Sequence, residues 1–134
     1  MMAQTTLDQH MALLGRIMAR FLEGGLTPRD IRSSAVKDFL GVDEDNQLTA
    51  SVLRWMLDEG LIRAKDVHES MFGDLSLFSA QLTSRGLAVV KRPLDSGDTI
   101  EKRIQSQPSS GIRWNEIGDL IGGTLGGLAK SLSG

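Results

Sequence analysis

The sequence contains no cysteine, so neither a disulfide framework nor thiol chemistry is open to it. Its two histidines, His10 and His68, lie far apart, and neither has companions at metal-ligand spacing. No metal site and no cofactor is therefore expected. Long apolar runs are also missing: nothing approaches the ~20 residues that a spanning helix needs, and no basic segment leads into an apolar stretch at the start. These absences favour a cytoplasmic protein with no membrane contact. Positive charge is in short supply. Fifteen Lys and Arg against 17 Asp and Glu give a formal charge of −2, which is unlike a strongly basic nucleic-acid binder.

What is present is enough for one modest core: 134 residues, 40% of them apolar. Residues 1–94 carry the periodic patterns of a folded domain. Residues 95–111 are polar, with Ser, Gly, Gln and Pro108, and read as a linker with room for one helical turn around Ile100 and Ile104. Residues 112–134 are apolar and rich in glycine.

Three helices are signalled first. In one, Thr6 and Gln9 form a capping box and Leu7, Met11, Leu14, Met18 and Phe21 share a face, until Gly24-Gly25 stops it. A second opens at Thr27-Pro28-Arg29-Asp30 and buries Ile31, Ala35, Val36, Phe39 and Leu40. A third begins near Asp45 or Asn46, carries Leu48, Val52, Leu53, Met56 and Leu57, and ends at Gly60. The period then falls to two. Residues 61–67 and 75–82 read as strands, with Ser76, Phe78, Ala80 and Leu82 on one face of the second and Leu75, Leu77, Ser79 and Gln81 on the other. Thr83 caps a short helix that Pro93 closes.

Three helices, a two-stranded hairpin and a closing helix, in that order, resemble a winged helix-turn-helix. The local wording agrees. Leu53-Arg54-Trp55-Met56-Leu57-Asp58-Glu59-Gly60-Leu61-Ile62 resembles a recognition helix running into the first wing strand, and Leu82-Thr83-Ser84-Arg85-Gly86-Leu87 the exit from the wing. The resemblance spans residues 5–92. With the tail from Ile117 added, the layout also resembles the YjcQ-like bacterial and phage proteins of unknown function. The fold class expected is mainly α (α+β): a winged helix-turn-helix with a separate C-terminal apolar helix.

That resemblance implies a DNA-binding transcriptional regulator acting as a homodimer, in which the third helix enters the major groove of double-stranded DNA. Base-facing side chains would be Gln47, Thr49, Ser51 and Arg54. Phosphate contacts would come from Arg29, Arg32 and Lys37 on the second helix and from Arg63 and Lys65 on the wing. The charge map opposes this. Asp43-Glu44-Asp45 sits where the third helix would approach the groove, and Asp66, Glu69 and Asp74 accompany the wing's few bases. Within a Debye length of ~8 Å such carboxylates are not screened from phosphate. The alternative is a non-enzymatic protein-interaction module of a phage or mobile element, which binds no DNA. Trp55, Met71 and Phe72 then become partner contacts, although each could equally pack on its own domain.

The tail carries the most unusual pattern. Gly118, Gly122 and Gly126 recur every four residues, beside Ile117, Leu120, Ile121, Leu125 and Leu128. Such glycines let another helix approach closely and cost ~1 kcal/mol each relative to Ala. The helix must therefore dock or stay unfolded. It could cover its own domain, pair with a second copy or lie on a membrane. With few bases on its polar face the membrane is disfavoured, and self-association with Trp114 as anchor is the preferred expectation. No enzyme is expected. Gly122-Gly123-Thr124-Leu125-Gly126-Gly127 lacks the Lys-Ser/Thr ending of a phosphate loop, and no nucleophile accompanies His68 and Glu69.

Overall fold

The computed structural model describes residues 6–108 and 111–133, with residues 128–133 by backbone alone. Among these the chain is mixed α+β, with six α-helices and one small antiparallel sheet. The order is α1 (Thr6–Gly24), β1 (Arg29–Arg32), a 3₁₀ turn (Ser33–Ala35), α2 (Lys37–Leu40), α3 (Asn46–Asp58), β2 (Ile62–Arg63), β3 (Asp66–Glu69), β4 (Leu75–Leu82), α4 (Ser84–Lys91), α5 (Ile100–Gln105) and α6 (Trp114–Ser133).

The helices expected at both ends of the three-helix segment are present, although Thr6 is already helical and Leu7, expected on the buried face, is exposed. Leu13, Leu14, Ile17, Met18 and Phe21 form the buried stripe of α1, and Gly25 leaves it at φ +62°. Asp45 caps α3 by accepting from the Leu48 amide at 2.9 Å. Gly60 ends the turn after it at φ +74°, a conformation that costs glycine little.

The second helix is corrected. Its first half is strand β1, and only Lys37–Leu40 is α-helical. Three of the five expected residues, Ile31, Val36 and Phe39, are in the core, whereas Ala35 and Leu40 are half-buried and Ser33 is buried instead. The reason is tertiary. β4 offers a free edge, and β1 takes it with Ile31 opposite Leu77 and Arg32 opposite Ser76. A helix there would also have carried Ser33 and Ser34 in its interior, where serine competes with the backbone.

β4 is the central strand, with β1 on one edge and β2 and β3 on the other. The expected first strand is broken at Ala64-Lys65, yet Ile62 faces Leu82 and Asp66 faces Phe78, so the register passes through the gap unchanged. Against β1 the register does shift. Ser79 is the cause, at φ +55°, its amide donating to Asp30 Oδ1 at 3.0 Å. One residue in the left-handed region resets the alternation. The buried residues of β4 are thus Leu75 and Leu77 before it, and Ala80 and Leu82 after it. The expected alternation therefore holds on each side of Ser79 and fails only across it, where the two buried pairs come to share one face.

The exit from β4 is clamped. Thr83 Oγ1 donates to the carbonyls of Gly60 and Leu61 and accepts from the Gly86 amide at 3.0 Å. Gly86 lies so close to the Leu61 carbonyl that a Cβ would collide with it. The two motifs that carried the family resemblance therefore hold each other, and their chemistry is structural.

The 95–111 segment contains α5, whose Ile100 is fully buried in the common core. Beyond it, α6 lies along α1 in the most extensive helix pairing of the molecule. Ile117, Ile121 and Leu125 enter the same core as α1. Gly118 meets the Met11 carbonyl with no room for a side chain, and a Cβ at Gly15 would stand 2.7 Å from the Trp114 carbonyl oxygen. No helix among the described residues is long and apolar enough to cross a membrane.

Candidate functional site

The surface that the sequence singles out is built from α3 and the β3–β4 ribbon. A chain of side-chain hydrogen bonds fixes their relative position. Fully buried Ser33 accepts from the Leu75 amide at 2.8 Å and donates to Asn46 Oδ1 at 2.5 Å. Asn46 Nδ2 in turn donates to Asp74 Oδ1 at 2.6 Å. The turn end of the ribbon is thus tied to the first residue of α3 and to the 3₁₀ turn that follows β1. Arg54 of α3 also meets Glu69 at the end of β3, at 2.7 Å.

The tip beyond Glu69 is a defined turn. Ser70 Oγ accepts from the amides of Phe72 at 3.2 Å and Asp74 at 3.1 Å. Gly73 sits at φ +85°, and the Ser70 amide closes the turn on the Asp74 carbonyl at 2.8 Å. Met71 and Phe72 project from it 90% and 80% exposed. They do not fold back on the domain.

The base-facing set is partly dispersed. Gln47, Ser51 and Arg54 are exposed on α3, but Thr49 is fully buried and its Oγ1 donates to the Asp45 carbonyl at 2.8 Å. Thr49 is accordingly removed from that set. Arg54 is engaged by Glu69 rather than free. Of the phosphate set, Arg29 and Arg32 belong to β1 and not to a helix. Arg29 is half-buried, with its guanidinium 5.3 Å from the centre of the Phe39 ring. Arg32, Lys37, Arg63 and Lys65 are exposed. Arg32 shares the outer sheet face with Ser76 and His68, and Arg63 lies opposite Gln81. Arg32 and Arg63 therefore sit on the sheet and Lys37 apart from them on α2, whereas α3 pairs its one arginine with an acid.

The acidic run before α3 also has structural duties. Glu44 reaches Arg16 of α1 at 3.0 Å and Asp45 is the cap, while Asp43 is exposed.

Among the partner-contact candidates, Trp55 is half-buried and borders a groove with Leu7, Met11 and Leu14 of α1. Ile117, Ile121 and Leu125 are buried against their own domain, and Trp114 and Leu120 are half-buried beside them. The apolar face expected to pair with a second copy is therefore occupied within the chain. The Leu128 side chain lies outside the described residues. Among the described residues no three His, Asp or Glu side chains converge as metal ligands.

Two features had no signal in the sequence reading. Ser33 looked like an ordinary helix-face residue because its partners lie 13 and 42 positions away. The groove beside Trp55 joins two helices whose pairing no local spacing encodes. Comparison of the chain with protein-family models, curated proteins and solved structures found no match.

Proposed function

We propose that the chain is a non-catalytic winged-helix module that binds another protein through the apolar tip of its ribbon. The winged-helix reading is supported by the order α1, β1, α2, α3 and ribbon, with β1 on the far edge of the last strand. The observation that carries the function is the tip itself. Met71 and Phe72 are the two most exposed large apolar side chains among the described residues, on a turn braced by Ser70 and tied to α3. A pre-ordered apolar anchor spends little conformational entropy on binding, and aromatic side chains commonly dominate interface energetics.

DNA binding is the second reading, favoured by exposed Gln47, Ser51 and Arg54 on α3. Against it stand the Arg54–Glu69 pair and exposed Asp43, Asp58 and Asp66 around the same approach. Two measurements separate the readings. A photo-reactive amino acid in place of Phe72 should cross-link a protein in cells, and the identified protein should then bind the purified chain at least about tenfold more weakly after Phe72→Ser, the usual scale of an anchor loss. A mixed-sequence duplex should give no change in fluorescence anisotropy at low salt. Duplex binding that falls steeply with added salt and is weakened by Arg54→Ala, with Phe72→Ser silent, would reverse the choice.

A further inference from the structure

We infer that one partner of the ribbon tip is a second copy of this chain, with Phe72 of each copy seated in the groove between α1 and α3 of the other. The inference rests on the reading of the tip as the binding element and adds the surface that receives it.

The groove is lined by Leu7, Met11, Leu14, Val52 and Trp55, with the polar side chains of His10 and Ser51 beside them, and holds about 210 Å³. An aliphatic-lined protein cavity of about 150 Å³ accepts benzene, so a phenyl ring fits the space. Leu7 is 65% exposed, and after Met71 and Phe72 it is the next most exposed large apolar side chain among the described residues. The three most exposed apolar groups thus fall into a projection and the lip of a recess. The tip does not fill the recess of its own chain, since Phe72 stands in solvent.

Area favours exchange in both directions. A phenylalanine buries about 150–250 Å². With Met71 and the groove lining counted, two insertions hide on the order of 900 Å², the size of a weak, transient interface. A single insertion hides about half of that, no more than an incidental packing contact. Reciprocal exchange also closes the assembly as a two-fold dimer, whereas one-way insertion would propagate into a chain.

The test is sedimentation velocity of the whole chain over roughly a hundredfold range of concentration, because a weak dimer is concentration-dependent. The expected result is a shift from monomer to dimer mass. Phe72→Ser removes the projection, and Ser51→Arg obstructs the recess. Both residues are exposed, so thermal melts should be unchanged while each variant dimerises at least about tenfold more weakly. A mixture of the two variants retains one intact tip and one intact groove. It should associate more strongly than either alone.

Three outcomes overturn the inference: a chain that stays monomeric throughout, a dimer that neither substitution weakens, or a mixture no better than its components. A monomeric chain whose Phe72 position still cross-links a different protein overturns the dimer alone and leaves the proposed function standing. Loss of that cross-link as well would remove both.

Discussion

Single polar side chains do more to position the surface of this protein than to supply its chemistry. Ser33 is the clearest instance. It is fully buried, and its one hydroxyl serves the Leu75 amide and Asn46 together. Ser33→Ala should cost about 1–3 kcal/mol, the usual penalty for stranding a buried polar group, seen as a lower midpoint in urea with an unchanged slope. The same substitution should raise hydrogen-exchange rates first in the ribbon, whose link to α3 runs through Asn46 and Asp74. By contrast, the exposed Arg54–Glu69 pair should contribute little to stability. In the sequence Asn46 reads as a helix start and Asp74 as one acid of the wing, each on local grounds. Their mutual bond joins positions 28 residues apart, which no local pattern reports.

At the scale of elements, the legible parts are those whose causes are local. α1, α3 and α4 each carry a stripe and a stop signal within their own residues, and Asp45 and Thr83 cap where a cap was read. β1 was not legible, because a four-residue strand exists only by virtue of the edge it pairs with. The switch of face at Ser79 was hidden for a similar reason, since Asp30 supports it from another strand. The glycines of α6 divide on the same principle. Gly118 is demanded by the crossing with α1, whereas nothing lies within 4 Å of a Cβ at Gly123 or Gly126. Gly118→Ala should therefore destabilise by more than about 2 kcal/mol through overpacking or helix displacement. Gly126→Ala should stabilise by up to about 1 kcal/mol through helix propensity. Thermal unfolding of the two variants tests the pair, and equal effects would mean that the crossing point is misassigned.

Taken whole, the molecule packs its C-terminal helix against its first. Ile100, Ile117, Ile121 and Leu125 share one core with α1, so a chain ending at residue 94 should lose cooperative unfolding and the near-ultraviolet signal of Trp55. A truncated protein that melts as sharply as the whole would restore the separate-tail reading. The functional surface was half legible. Met71 and Phe72 drew notice as an apolar pair in a polar turn, but the recess that we assign to them is assembled from residues of α1 and α3. Of the glycine repeat, Gly118 marks where the chain meets itself, while Gly122 and Gly126 face open space.

The pairing of α1 with α6 has a consequence for synthesis. The ribosome delivers α1 first, then everything from Gly25 to Arg113, and only afterwards the helix that covers it. At roughly 5–20 residues per second, the greasy side of α1 waits on the order of ten seconds for its lid. During that interval the nascent polypeptide displays the face of α1 that holds Met11 and Gly15 to whatever holdase stands at the exit tunnel, and completion of the fold is a late event.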